Sequence, residues 1–341
     1  MGKAPKEVIV RSTSFAQWPE LTADWHDVGR VTIDMLPDHV LLEIFGFYVD
    51  EKKRGMWRTL VHVCQKWRSI AFGSPGHLNM RLFCNAETPV ELLDVWPPLP
   101  IVIWEEGYEY YDVDNIIATL EHNDRVCQLG LLDIPNLEME RVLGVMQQPF
   151  PALRILALQL WHSDKSAPVV PTSFLGGSAP QLRLLTLNSI PFPGLPNLLL
   201  SAPHLAYLNL TRIPHSGYIS PEEMVACLSV LTRLETLIID FESSESLPEQ
   251  NQSPSPQTRT LLPALTQLQF SGAGEYAEDL VARIDAPLLD KLKINFFQQL
   301  IFPAPQLTRF IRRIPKFKAR AEAPGSLFRL DSFGVLSVTL P

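Results

Sequence analysis

Residues 151–158 read PALRILAL, residues 180–187 read PQLRLLTL, and residues 203–210 read PHLAYLNL. One frame underlies all three: a proline, then leucines two, five and seven positions later. It returns at Pro263 with Leu265, Leu268 and Phe270, and at Pro287 with Leu289, Leu292 and Ile294. Without the proline it recurs as Val126, Leu129 and Leu131, and as Leu234, Leu237 and Ile239. The last two apolar positions of each copy are two residues apart, so on a strand they share one face and the residue between them points the other way. The first packs ahead of them, where the strand starts. A proline before that point is tolerated because the N–H it lacks is not needed there.

The copies begin at positions 126, 153, 182, 205, 234, 265 and 289, so successive copies are 23 to 31 residues apart, and a weaker eighth begins at Leu307 after Pro305. That period and frame resemble leucine-rich repeats. In such a repeat no unit buries its own apolar face, and stacked neighbours make one continuous core. The Asn or Cys that usually follows the strand survives only as Asn188 and Asn209, each one step off. The resemblance therefore implies an irregular α/β solenoid with unequal helices. An α/β domain whose buried strands happen to be leucine-rich is the alternative.

Ahead of the repeats, residues 34–78 read DMLPDHVLLEIFGFYVDEKKRGMWRTLVHVCQKWRSIAFGSPGHL. Val40, Leu41, Ile44, Phe45 and Tyr48 recur at helical spacing. Trp57, Leu60, Val61, Cys64, Trp67 and Ala71 repeat the pattern before Gly73, Ser74 and Pro75 stop it. Pro37 suits the first turn of a helix. Leu36-Pro37, Leu41, Ile44 and Phe45, followed by Val63-Cys64 and Trp67-Arg68, resemble an F-box. The pattern is LP-x-x-x-L-x-x-I-F, a loop, then VC-x-x-W-R-x-I-A, and every position is filled. The departure is the charged insertion DEKKRG at residues 50–55. The resemblance implies a small helical module that binds the Skp-type adaptor of a cullin ubiquitin ligase. Leu36, Pro37, Leu41, Ile44, Phe45, Val63, Cys64, Trp67 and Arg68 would be its partner-binding residues. Several of these would hold the helices together and only some would touch the adaptor. An ordinary helical hairpin within a larger core is the plain alternative.

A chain of 341 residues, 46% hydrophobic and 19% charged, can bury a sizeable core and suits a small module with a larger one behind it. The net charge of −8 argues against nucleic acid as a partner. Cys64, Cys84, Cys127 and Cys227 form no C-x-x-C pair, the usage of a reducing compartment, and no histidine spacing suggests a zinc site. No secretory signal and no membrane-length apolar run is visible, so the expected location is cytoplasmic, nuclear or both.

Catalytic motifs are wanting. Gly272-Ala273-Gly274 lacks the third glycine of a dinucleotide fingerprint, there is no phosphate-binding P-loop, and Ser178 has Pro180 where a nucleophile elbow needs glycine. Glu105, Glu106, Asp112 and Asp114 surround an aromatic patch in a stretch that reads as a loop. Trp104, Tyr108, Tyr110 and Tyr111 in that patch read as a contact surface or as partial burial against the first repeat. Arg312, Arg313, Lys316, Lys318 and Arg320 form the one dense basic run, read as a solvated exterior, an import signal or an acidic-partner site. Ser220, Pro221 and Glu223 announce a helix with a capping box. A second short helix is expected over 276–284. The Ser/Pro-rich residues 242–260 read as a solvated, disordered loop whose Ser253 and Ser255 are candidate proline-directed phosphorylation sites.

The organisation expected is a flexible segment at 1–30, an F-box at 31–80, a connecting region at 81–124 and a leucine-rich solenoid at 125–341. No cofactor and no enzymatic activity are expected. The resemblance implies a substrate receptor of an SCF-type ubiquitin ligase, with an unidentified target protein on the repeats. A leucine-rich interaction scaffold outside ubiquitination is the second reading. Residues 334–340 read as a strand with nothing after it to cover its outer face. Either it pairs back into the array or the repeats continue in a longer protein, and the second is favoured.

Overall fold

In three dimensions the leucine frame becomes a row of neighbouring strands in register. The computed structural model describes residues 33–49, 55–85, 87, 91–106, 113–160, 167–243, 259–297, 304–317, 329–330 and 335–338. The expected flexible segment at 1–30, Tyr108, Tyr110, Tyr111, most of the charged insertion, the body of the 242–260 loop, Lys318 and Arg320 lie outside the described residues.

The described residues open with a 3-10 turn at Ile33–Met35, then α1 (Asp38–Tyr48), α2 (Trp57–Val63) and α3 (Gln65–Gly73). The strands are β1 (Leu82–Cys84), β2 (Ile101–Glu106), β3 (Val126–Ile134), β4 (Ile155–Leu160), β5 (Leu184–Asn188), β6 (Tyr207–Ile213) and β7 (Thr236–Phe241). They continue as β8 (Thr260–Leu261), β9 (Gln267–Gly272), β10 (Ile284–Asp285), β11 (Lys291–Phe296), β12 (Arg329–Leu330) and β13 (Val335–Val338). Between them run α4 (Leu92–Val95), α5 (Asp114–Leu120), α6 (Asn136–Val145), α7 (Leu195–Leu200), α8 (Pro221–Leu228), α9 (Gly274–Arg283) and α10 (Pro305–Arg313). Nine strands, β1 to β7 with β9 and β11, lie side by side in chain order as a parallel sheet, and β13 then β12 extend it antiparallel. The sheet is open, not a closed barrel.

Leu129, Leu156, Leu185, Leu208, Leu237, Leu268 and Leu292 stand level across seven neighbouring strands. Leu131, Leu158, Leu187, Leu210, Ile239, Phe270 and Ile294 form the next level, two residues on, and all fourteen are at most 3% exposed. A shift of one residue in any strand would turn its two core side chains out to water, so the period-two pattern pins the register. The leading Val126, Leu153, Leu182, Leu205, Leu234, Leu265 and Leu289 are buried with them. The crossovers are unequal: ten residues of helix in α6, a four-residue 3-10 turn at Phe174–Gly177, six in α7.

Ser220 caps α8 through a complete capping box with Glu223, and α9 covers the second helix expected. Asn188 Oδ1 accepts from Ser189 Oγ at 3.0 Å and from Arg212 Nε at 2.9 Å, so this asparagine does tie the strand exit. Asn209 does not: its Oδ1 is buried with no partner. Asp133, Ser189 and Arg212, each seven residues after its frame begins, have positive φ of 59°, 62° and 49°. Asp133 and Arg212 sit at register shifts within β3 and β6, after which Ile134 and Ile213 still pair, and Ser189 follows the end of β5.

Three expectations change. The stretch around Glu105 and Glu106 is not a loop but β2, and β1 and β2 carry the parallel sheet into the span read as a connecting region. The strand is unforeseen because Ile101–Trp104 is a continuous apolar run and lacks the leucine frame of the later copies. Leu307 does not open an eighth strand: Leu307, Phe310 and Ile311 are the buried face of α10. Spacings of three and four suit a helix as well as the start of the frame, and Glu278 of α9 accepts from the Gln306 and Leu307 N–H groups, both at 2.8 Å, which caps the helix. The late strand β13 pairs back onto β11, Leu292 opposite Val338 and Ile294 opposite Leu336.

Candidate functional site

The helical unit is three helices, not two. Cys64 breaks the second apolar run: its backbone is extended (φ −156°, ψ 172°), and its Sγ accepts from Trp67 N at 3.5 Å to cap α3. Arg68 Nε donates to Val61 O at 2.9 Å, fastening α3 to the end of α2. Lys66 Nζ donates to Leu36 O at 3.0 Å and lies 3.6 Å from Asp38, which ties α3 to the start of α1. Phe45 packs on Trp67 with ring centroids 4.7 Å apart.

These contacts sort the nine residues singled out by sequence. Leu41 and Phe45 are fully buried, so they hold helices and present nothing outward. Leu36, Cys64 and Trp67 are half-buried, and the Arg68 guanidinium is engaged with backbone. Pro37, Ile44 and Val63 are exposed. One residue absent from that set is, at 89%, the most exposed large hydrophobic among the described residues: Phe47. The signal was there, since Val40, Ile44 and Phe47 run at four- and three-residue spacing along one side of α1. Met35, Ile33 and Tyr48 are also open to water. The outcome is a set of exposed apolar side chains on α1, the turn before it and the end of α2, over a buried core. A monomer rarely leaves such a cluster uncovered, and its natural reading is a docking surface.

The unit is joined to the sheet by aromatic packing. Trp57 Nε1 donates to Arg81 O at 3.2 Å, one residue before β1. Trp96 sits edge-on to Trp57 at 5.2 Å, with Phe72 at 6.2 Å. The core runs unbroken from Leu41 to Phe317.

Other candidates separate. Gly272 ends β9 and Gly274 begins α9, so the glycine pair is a strand-to-helix corner. Trp104 is partly buried over Gly130, where an added Cβ would strike its ring. Asp114 pairs with Arg141 across α5 and α6. Arg313 pairs with Asp285 at 2.9 Å and Lys316 with Asp290 at 3.0 Å, which leaves Arg312 as the cation of that run with no ion pair among the described residues. Burial pushes the thiols of Cys84 and Cys127 up and takes Cys227 to about 11, with Glu223 adding to the last. The Tyr276 hydroxyl is also pushed up by burial; it donates to Ile219 O at 3.1 Å beside an apolar cavity of about 20 Å³. Among the described residues no group of three His, Cys, Asp or Glu is placed to hold a metal, and no helix is long and apolar enough to cross a membrane.

No protein-family model matches the chain, and no curated protein does.

Proposed function

We propose that this chain is the substrate receptor of an SCF-type ubiquitin ligase, with an F-box in residues 31–80 holding a Skp-type adaptor and a degenerate leucine-rich solenoid holding a target protein. The observation that carries the reading is the outward row of Pro37, Ile44 and Phe47 with Val63. These apolar side chains stand in water on a unit whose remaining residues fill the F-box pattern. The strands in register and the 23-to-31-residue period support the second half. The chain performs no bond chemistry and needs no cofactor on this reading. It works by proximity: a target held on the same scaffold as a charged conjugating enzyme meets it at high effective concentration.

Co-expression of the full chain with a Skp-type adaptor tests this. Wild-type protein is expected to co-purify with the adaptor, and Ile44→Asp with Phe47→Asp to lose it without a change in melting. Failure of the wild-type chain to retain adaptor would remove the ligase assignment and leave a leucine-rich scaffold whose helical head binds something else.

A further inference from the structure

The starts of the strands form a second surface. A backbone ladder crosses the sheet there at 2.8–2.9 Å: Ile101 N to Arg125 O, Arg154 N to Cys127 O, Arg183 N to Arg154 O, Ala206 N to Arg183 O and Glu235 N to Ala206 O. Side chains at that level therefore stand one strand apart, about 4.8 Å. Arg154, Arg183, Ala206 and Glu235 occupy it on β4 to β7, with Cys127 on β3, while Arg81 and Arg125 stand two residues nearer the strand starts with Pro100 between them. Arg125 is held by its Nε, which donates to Leu99 O at 3.2 Å, with its Nη2 buried, and Arg81 is held by Asn79 Oδ1 at 3.0 Å. Arg154 and Arg183 are exposed. None of the four arginines forms an ion pair among the described residues, whereas Lys66, Arg141, Arg283, Arg313 and Lys316 all do. Arg154 and Arg183 stand on neighbouring strands, where like charges repel, so a chain of net charge −8 has gathered cations without ion pairs on one edge.

We propose that these four arginines dock an extended acidic segment of a protein partner, laid across the strand starts from β1 to β5. Four strand spacings make about 19 Å, the reach of about six extended residues. The Arg154 and Arg183 guanidinium groups, on adjacent strands, suit carboxylates, which they grip in bidentate fashion, and Arg81 and Arg125 extend the positive surface towards β1. Glu235, two strands beyond Arg183, repels any anion that runs on. That end stop favours a short acidic segment over a nucleic acid, whose charge continues. The surface is separate from α1 and holds whether or not the helical unit binds an adaptor.

The test uses the full chain alone, with fluorescence anisotropy of a fluorescein-labelled hexaglutamate peptide. Hexalysine and a six-nucleotide oligothymidylate serve as parallel probes. Saturable hexaglutamate binding is expected, weakened about tenfold by Arg154→Glu with Arg183→Glu and weakened again by raising salt. Hexalysine should not bind, and Glu235→Lys should bind hexaglutamate as tightly as wild type or more so. If the charge-reversed protein has lost its native circular dichroism, Arg154→Gln with Arg183→Gln replaces it, with about a threefold loss expected. No saturable hexaglutamate binding, or an unchanged Kd in folded variants, would overturn the proposal. So would oligothymidylate that binds as tightly with the same sensitivity to the two arginines.

Discussion

Phe45 and Phe47 sit two residues apart on α1 and should respond oppositely to truncation. Phe45 is 0% exposed with its ring 4.7 Å from Trp67, so Phe45→Ala opens a cavity in the helical unit. Phe-to-Ala changes at such sites cost about 3–5 kcal/mol, and at roughly 2 °C per kcal/mol the melting midpoint should fall by roughly 6–10 °C. Phe47 is 89% exposed, so Phe47→Ala removes almost no buried area. Alanine is also the better helix former by about 0.5 kcal/mol, so stability should hold or rise slightly. Binding reverses the order of interest. An aromatic anchor buried in a partner is worth about 2 kcal/mol, so Phe47→Ala should weaken adaptor binding about 30-fold. Thermal melts followed by isothermal titration with purified adaptor measure both. A midpoint that falls as far for Phe47→Ala as for Phe45→Ala would refute the outward geometry of α1. A Kd changed by less than about threefold would refute this surface as the adaptor contact.

Three further outcomes follow from the sheet and its crossovers. Glu278→Ala removes both acceptors at the start of α10 and should cost about 1–2 kcal/mol in urea denaturation, with faster amide exchange at Gln306 and Leu307. Gly130→Ala should destabilise by about 1–3 kcal/mol because its Cβ meets the Trp104 ring, and adding Trp104→Ala should recover part of that loss, a coupling that a double-mutant cycle reads directly. Burial pushes the Asp240 carboxyl above its ordinary 3.8, against the Ser271 hydroxyl and the Arg212 N–H that favour its charged form. A carboxyl raised by folding penalises the native state while it is ionised, and the penalty fades as pH falls through the folded value towards 3.8. Asp240→Asn should therefore be the more stable protein at pH 7 and lose that advantage by about pH 3.5, as urea titrations at the two pH values would show.

Much of this molecule is local information. Leucines at period two decide strand, face and register together, because any other register exposes them, and so the frame beginning at Val126, Leu153, Leu182 and Leu205 reappears as level rows in the sheet. The Ser220–Glu223 capping box is legible for the same reason: both partners lie within four residues. What the tertiary structure decided is everything that depends on a distant partner. Leu307, Phe310 and Ile311 are spaced for a helix or for the start of a repeat, and Glu278, from another helix, caps one of the two outcomes. Ile101–Glu106 becomes a strand because Val126–Ile134 stands beside it, and Val335–Val338 pairs back onto β11. On α1, apolar residues inside and outside the motif look alike in the sequence. Packing against Trp67 and the core behind it divides them, sending Leu41 and Phe45 inward and leaving Ile44 and Phe47 in water. Hydrophobicity is a property of a residue, whereas which hydrophobic residue stays outside is a property of the packing.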